Sequence, residues 1–321
     1  MDRRRFINLA GCSAAGVMLG ALALPGWRSA AAQGATEPQP FGAEKLGTVS
    51  QTDAGKVLAM DSLLNIYDPR VTPADVVIAG SYCGASTLPH VVRQGVRGVV
   101  AHDAGIGKDR AGIGALPVGD QHGIPVAAVE TMSAALSNGR SMAGGVISFA
   151  NQTATSLGVT VGMSAIEAAT LMLGAPLRQP SETELPLDRR ISEMIKVGSG
   201  RAYASSAVTN FPEGDEHAQD VIVWGAHMGA IAGPIIEKRR FKGCIGNDCG
   251  KARFDSGIAA LPILNRMGIM AASVGTMSAR IGDGYSSWND GRISAANDLA
   301  LAAGVALEMP ASDAARLMLL A

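Results

Sequence analysis

The chain is poor in the residues on which several common classes of protein depend. Only 4% of its 321 residues are aromatic, four are cysteine, and the formal net charge is −1. A chain this close to neutrality does not hold nucleic acid or an anionic membrane by bulk electrostatics. So few cysteines cannot form a disulfide scaffold, although the short spacing between Cys244 and Cys249 leaves a small loop disulfide open.

Several motifs of known chemistry are also missing. The five histidines show neither the His-Glu-x-x-His pattern nor a Cys/His spacing typical of zinc. The Gly-x-Ser-x-Gly nucleophile elbow of α/β-hydrolases does not occur either. The sequence therefore predicts no metal site, and it leaves any cofactor unidentified.

The N-terminal segment has the order of a twin-arginine export signal. Three consecutive arginines from Arg3 precede a moderately apolar run that reaches Gly26, and small residues around Ala32 offer a cleavage site. The alternative is a membrane anchor, but the run is of borderline length for the roughly 20 residues that span a bilayer and is broken by glycines and a proline. We therefore expect the twin-arginine export machinery to deliver the protein to the periplasm or the exterior, without stable membrane insertion after residues 1–32 are removed.

Most of the remaining chain is an internal duplication. The stretch VVIAGSYCGASTLP from Val76 matches VIVWGAHMGAIAGP from Val221, so the second copy follows the first by 145 positions. The same offset relates Asp103 to Asp248 and the two copies of the sequence Thr-Met-Ser-Ala. A unit of about 120 residues is domain-sized and far longer than the periods of roughly 20 to 50 that mark solenoids.

Each copy alternates short apolar runs with helix-compatible stretches. In the first copy, apolar runs between turn residues predict strands at 57–66, 75–80, 97–102, 124–129 and 159–163. Capping and turn residues predict helices from Ser86 to Gln94, from Gly112 to His122, within 144–157, and after a capping box of Ser164 and Glu167.

Short, continuously apolar strands that alternate with helices indicate a mostly parallel sheet covered on both faces. The predicted fold is therefore α/β, built from two similar units around a pseudo-twofold axis. The predicted organisation is a signal at 1–32, a flexible leader at 33–54, the first unit at 55–173, a polar linker at 174–199 and the second unit at 200–321.

The stretch VVAHDAGIGKDRAGI from Val99 resembles a phosphate-binding loop at first sight. A Walker A loop needs a lysine followed by Ser or Thr, but Lys108 is followed by Asp109. Both copies keep Asp-x-Gly at the end of a strand instead, at Asp103 and Asp248. Ligands bind at the carboxyl ends of strands in open α/β sheets, so these loops are candidate sites. The alternative is that each Asp caps its turn and each Gly supplies a positive φ.

Two further features are candidates for binding a small molecule. The turns at Gly80 and Gly225 follow strands and could offer backbone donors to an anion, or could simply let helix and strand pack closely. Arg280 lies beside hydroxyls, as in a carboxylate clamp, although a solvated loop with internal salt bridges has the same composition. The candidate catalytic residues are Asp103, Asp248, His102 and Lys108, and the candidate substrate-binding residues are Gly80, Ser81, Gly84, Gly105, Asp109, Gly225, His227, Gly250, Arg253, Thr276, Ser278 and Arg280.

One region resembles a known family. A glycine turn, a helix, Gly-Val-x-Gly-Val-Val from Gly95, then Asp103 and a basic residue beside Asp109 resemble the swivelling α/β domain of the 4-hydroxy-4-methyl-2-oxoglutarate aldolase family. The resemblance covers a minor part of each unit, and Lys108 lies one position further from Asp103 than that family's pattern requires. The family's metal site is therefore not transferred to this chain.

Three functional hypotheses follow. The first is an exported enzyme that acts on a small anionic metabolite in a cleft between the units, with an Asp as general acid or base and Lys108, Arg253 and Arg280 holding the anion. The second is a non-catalytic periplasmic binding protein that uses the same cleft. The third is a structural or partner-binding protein in which the duplication only builds a pseudo-dimer. The first two predict that the Asp103 and Asp248 loops border a common pocket.

Overall fold

The computed structural model describes residues 37–321, in which two α/β units repeat one order of elements. The first unit contains the strands β1 (Leu46–Thr52), β2 (Gly55–Met60), β3 (Val76–Tyr82), β4 (Gly98–His102), β5 (Val126–Val129) and β6 (Ile147–Ala150). Its helices are α1 (Leu88–Gln94), α2 (Ala115–Gln121), α3 (Gly139–Ala143), α4 (Gln152–Ser156) and α5 (Ala165–Met172).

The second unit repeats this series at matching positions. Its strands are β7 (Ile191–Val197), β8 (Gly200–Ser205), β9 (Val221–His227), β10 (Gly243–Asn247), β11 (Met270–Val274) and β12 (Ile293–Ala296). Its helices are α6 (Ala232–Glu237), α7 (Ala260–Arg266), α8 (Gly284–Asn289), α9 (Asp298–Ala302) and α10 (Ala311–Leu320).

Each unit is organised by one six-stranded mixed sheet. The strand orders are β1-β2-β3-β4-β5-β6 and β12-β11-β10-β9-β8-β7. In both sheets the first two strands form an antiparallel hairpin, the next pairs are parallel, and the last strand is antiparallel to its neighbour. The predicted duplicated α/β fold is confirmed.

Burial on both faces of each sheet explains the continuously apolar strands. Alternate residues of a strand point to opposite faces, and along β3 Val77 contributes to one core while Ile78 contributes to the other. In the second unit Ile222 and Val223 divide between two cores in the same way. Helices cover both faces, so nearly every strand position is apolar.

Three of the predicted strands in the first unit are confirmed as β3, β4 and β5. The capping box is also confirmed, because Ser164 and Glu167 satisfy each other's backbone N–H groups at the start of α5. The strand predicted at 57–66 stops at Met60, because Ser62 opens a 3₁₀ turn through a capping box with Asn65.

Other local predictions were wrong. The helix predicted within 144–157 is interrupted by β6, and 159–163 forms turns rather than a strand. Thr87 rather than Ser86 precedes α1. Helix α2 begins only at Ala115, after a turn in which Asp109 has a left-handed φ of 54°.

Regular structure extends into the predicted leader and linker. Strand β1 lies within 33–54 and β7 lies within 174–199, and each pairs with the strand that follows it. The limits at Gly55 and Gly200 therefore fall at the turns of two hairpins, while the division into functional domains stays a prediction. The predicted export signal and the start of the leader lie outside the described residues.

Two properties of the described residues bear on the earlier expectations. No helix between residues 37 and 321 has the length and apolar character to cross a bilayer. Cys83, Cys244 and Cys249 are free and buried. Burial raises the pKa of each thiol, so all three stay protonated and poorly reactive.

Candidate functional site

The two Asp-x-Gly loops meet where the units contact each other. A Cβ atom on Gly105 would lie 3.3 Å from the Cα of Gly250, and the converse distance is the same. The backbone N–H of Lys108 donates to the carbonyl of Thr276 at 2.9 Å, and the N–H of Arg253 donates to the carbonyl of Thr131 at 3.2 Å. These two bonds are related by the 145-residue offset, so the contact has the predicted pseudo-twofold character.

Both aspartates accept hydrogen bonds from their own loop and from neighbouring segments of the same unit. Asp103 is 3% exposed and accepts hydrogen bonds from the N–H of Gly105 and from the hydroxyls of Thr131 and Ser148. Asp248 is 5% exposed and accepts from the N–H of Gly250 at 2.9 Å and of Thr276 at 2.8 Å. The bonds from Gly105 and Gly250 are those expected of residues that cap turns, and the others connect each Asp loop to segments that follow later in its unit. The catalytic role of both carboxylates stays a prediction.

Asp103 also faces an open groove on the outer side of its loop. The groove has a volume of about 530 Å³, and Glu130, Thr131, Ser148 and Phe149 contribute to its walls. It is formed by the first unit alone. The two Asp loops therefore touch, but the groove beside Asp103 does not extend to Asp248.

His102 performs the local task that Asn247 performs in the second unit. His102 Nδ1 accepts the N–H of Ala104 at 3.0 Å, and its Nε2 lies 3.2 Å from the carbonyl of Thr131. Asn247 likewise accepts the N–H of Cys249 at 2.9 Å and donates to a carbonyl. Burial lowers the pKa of His102, so its imidazole is neutral with the proton on Nε2.

The predicted anion clamps are occupied by partners between the units. Lys108 forms an ion pair with Asp290 at 2.8 Å, and Arg280 contacts Asp109 at 3.3 Å. Arg253 donates to the carbonyl of Ser133 at 3.1 Å. These side chains cross the contact and help to hold the two units together.

The glycine turns serve close packing in this structure. A Cβ atom on Gly80 would lie 2.5 Å from the carbonyl oxygen of Asp61, and one on Gly225 would lie 2.3 Å from the backbone nitrogen of Asp283. Of the remaining predicted binding residues, Gly84 accepts a bond from Thr87 through its carbonyl. Ser278 donates to the carbonyl of Gly275. The predicted set also includes Ser81 and His227, which line the cavity described next.

A cavity of about 490 Å³ lies between the two units, and we call it the central cavity. Its first wall comes from the turn after β2, the end of β3 and helix α1. Its second wall comes from the corresponding elements around β9 and α6, and the linker residues 187–189 close one side. This volume lies within the roughly 300 to 1,000 Å³ typical of small-molecule sites.

The first wall is rich in hydrogen-bonding groups. The Ser81 hydroxyl accepts the N–H of Leu63 at 2.9 Å, and the hydroxyls of Tyr82 and Ser86 lie 2.8 Å apart. His90 Nδ1 lies 2.8 Å from the hydroxyl of Tyr67. Strand β3, helix α1 and the 3₁₀ turns that follow β2 and precede α1 hold these side chains, so the polar groups are fixed by regular structure.

The second wall is mainly apolar. Trp224 and Ala226 come from β9, while Ile231, Ala232 and Ile235 come from the start of α6. The polar residues Ser206 and Asn210 also line the cavity, but each donates to the backbone carbonyl of Asp188 at 3.1 Å and so anchors the linker.

The titratable groups at the cavity are uncharged or cationic near neutral pH, apart from Asp188. Burial, followed by the charges of Arg93 and Arg189, lowers the pKa of His90 to about 4. Burial lowers the pKa of His227 to about 4 and raises that of Tyr82 to about 12. The two arginines both line the cavity; Arg93 also forms an ion pair with Glu182, and Asp188 is paired with Arg190 at 2.9 Å.

Several residues of this cavity were missed from the sequence. Ser86, His90 and Arg93 share helix α1 or the turn before it, while Arg189 lies far away in the linker. Comparison of the two copies could have indicated two of them, because the polar residues Ser86 and His90 have the apolar counterparts Ile231 and Ile235. No sequence pattern connects Arg189 to α1.

Neither a metal centre nor a relative identifies the site. Within residues 37–321 no group of three or more His, Cys, Asp or Glu side chains is arranged to hold a metal ion. Comparison of the chain with protein-family profiles, with curated proteins and with solved structures gives no match in any of the three. The function must therefore be argued from the chemistry of the cavity itself.

Proposed function

We propose that this protein binds a small organic anion with an apolar body in the central cavity. The observation that carries the proposal is the combination of Arg93 and Arg189 at one side of the cavity with an aliphatic wall on α6. Guanidinium groups are well suited to carboxylates and phosphates. A mostly apolar pocket with a few placed polar groups is the usual form of a small-molecule site.

We also propose that the binding takes place outside the cytoplasm. The support for export is the order of basic, apolar and small residues in the first 32 positions. A periplasmic or secreted protein that binds small anions is consistent with both of the first two functional hypotheses.

Binding without turnover is favoured at the central cavity. Neither Asp103 nor Asp248 lines it, and both carboxylates are occupied by hydrogen bonds from within their own units. Of the titratable groups that do line it, His90, His227 and Tyr82 are neutral donors and acceptors near pH 7, and the carboxylate of Asp188 is paired with Arg190. These groups can orient a ligand, and none is a free carboxylate of the kind that the enzyme hypothesis invoked.

An enzyme that uses Asp103 is the second candidate. Its support is the groove of about 530 Å³ in which Asp103, Glu130, Thr131 and Ser148 lie together. In that case the acid or base would act in this groove and not in the central cavity. The Asp103→Asn variant separates the two candidates, because it would abolish turnover while leaving anion binding in the central cavity intact.

Native mass spectrometry of the exported protein, followed by calorimetric titration with a panel of small carboxylates, tests the proposal. We expect a panel member to bind with 1:1 stoichiometry and the double variant Arg93→Gln/Arg189→Gln to lose at least about tenfold in affinity. Arg201→Gln is the matched control, because Arg201 pairs with Glu193 on the surface and does not line the cavity. Equal affinity in the double variant and the control, or no binding by any panel member, would overturn the proposal.

A further inference from the structure

The pseudo-twofold axis of the molecule passes through the central cavity. Tyr82 and His227 occupy equivalent positions at the ends of β3 and β9, both line the cavity, and their rings meet edge to face with centroids 6.3 Å apart. Leu63 and Val208 form a second equivalent pair on its walls. The cavity is therefore enclosed by two copies of one set of structural elements.

The two copies differ in polarity at most of their equivalent lining positions. At five pairs the first unit has a hydrogen-bonding side chain and the second has a hydrocarbon one, while one pair, Leu64 and Thr209, has the reverse. The five pairs are Ser62 and Ala207, Ser81 and Ala226, Ser86 and Ile231, Thr87 and Ala232, and His90 and Ile235. Because equivalent backbone presents each pair, the difference lies in the side chains alone.

Both arginines stand on the polar side of this division. Arg93 belongs to α1, and the charges of Arg93 and Arg189 both act on His90 and Tyr67. Glu182 pairs with Arg93, so a ligand carboxylate at this end of the cavity would share that guanidinium with Glu182. The arginine end of the cavity thus coincides with the hydroxyl-rich wall. The opposite wall, formed by α6 and Trp224, offers a hydrocarbon surface.

His227 supplies a hydrogen-bond donor where the two walls meet. It is 7% exposed, and its Nδ1 accepts the N–H of Gly229 at 3.0 Å, which leaves the proton on Nε2. Arg97, Arg178 and Ser273 hold the fully buried side-chain polar atoms that have no partner within residues 37–321, and His227 is not among them. Because His227 lines the cavity, its Nε2 proton is available to a ligand oxygen there.

We propose that the ligand is an amphiphilic monocarboxylic acid bound in one orientation, with its carboxylate at the α1 wall and its hydrocarbon body on the α6 wall. This inference rests on the proposed function and specifies its ligand class. The five side-chain differences, rather than the shape of the cavity, set the orientation. His227 donates to a ligand oxygen between the two ends.

The test is the dependence of affinity on hydrocarbon length, with butyrate, hexanoate and octanoate as probes in calorimetric titrations. Burial of one methylene on an apolar wall is expected to raise affinity about fourfold. The variants Ile231→Ser and Ala232→Thr each give the second wall the polar side chain of its counterpart in the first wall. Both should reduce the gain per methylene to less than about twofold. Ser86→Ala should weaken all probes by a similar factor and leave the gain per methylene unchanged.

An exposed leucine outside the cavity, Leu301, provides the control Leu301→Ser, which should bind all probes as the parent protein does. Thermal melts of each variant report whether it is folded. Ala232→Thr is included because, unlike Ile231→Ser, it does not remove a large apolar side chain. If no carboxylate binds the parent protein, the proposed function fails. If carboxylates bind but the gain per methylene is absent, or is unchanged in both second-wall variants, the orientation alone is overturned.

Discussion

Gly105 and Gly250 face each other at the contact between the two units, and a Cβ atom at either position would be tightly packed. A Cβ atom on either residue would lie 3.3 Å from the Cα of the other. Both residues also have left-handed backbone, with φ of +72° and +65°. Two requirements therefore favour glycine at each position, and both copies retain it.

Alanine at either glycine should destabilise the protein through both requirements. We expect Gly250→Ala to lower the free energy of unfolding by more than the roughly 1 to 2 kcal/mol that left-handed backbone costs a residue with a Cβ atom. Urea unfolding measures the change. Gly268→Ala is the matched control, because Gly268 has φ of +76° and nothing within 4 Å of the added atom. An equal loss of unfolding free energy in the two variants would show that the close contact between the units does not contribute to the effect of Gly250→Ala.

Asp103 is expected to contribute to stability through its hydroxyl and backbone partners. In Asp103→Asn, a neutral amide replaces the charged carboxylate that accepts these hydrogen bonds. We therefore expect a loss of about 1 to 3 kcal/mol in the free energy of unfolding, measured in urea. The Asp103 partners include Ser148, whose hydroxyl lies at 2.9 Å. Carboxylate binding in the central cavity should be unchanged. Full stability combined with a loss of turnover would instead favour the catalytic role.

The equivalence of His102 and Asn247 makes a histidine replaceable at this position. Because Asn247 accepts a backbone N–H two residues ahead as His102 does, we expect His102→Asn to change the free energy of unfolding at pH 7 by less than about 1 kcal/mol. His102→Leu removes the acceptor for Ala104 and should cost about 1 to 3 kcal/mol more. Chemical unfolding of the two variants decides the matter. If both are equally destabilised, packing rather than the hydrogen bond determines the loss.

The duplication made the fold accessible from the sequence. Apolar runs such as the one around Val99, present in both copies, predicted the central strands, and those strands are β4 and β10. The edge strands β1 and β7 were missed because their residues are at most partly buried, apart from Leu46, and apolar residues are mixed with polar ones along them. The sequence pattern of such strands is weak, and these two form because they pair with β2 and β8.

The candidate site was harder to predict than the fold. Ser81 and His227 were identified because they follow glycine turns at strand ends, and both line the central cavity. Lys108 and Arg280 were selected for their charge, but that charge is used in ion pairs between the units. Which cations face a cavity depends on how the two units pack, and the local sequence does not encode that arrangement directly.

Acid should destabilise the protein in a window set by its buried histidines. The pKa of His227 falls from the ordinary 6.5 to about 4, mainly through burial, so the unfolded chain takes up a proton more readily than the folded one. Its contribution to stability is therefore complete above pH 6.5 and declines as the pH falls toward 4, by on the order of 3 kcal/mol. His227→Asn, which can still accept the N–H of Gly229 as Asn247 accepts its own partner, should flatten this part of the curve. Urea unfolding between pH 4 and pH 7 provides the measurement, and an equally steep decline in the variant would exclude His227 as its source.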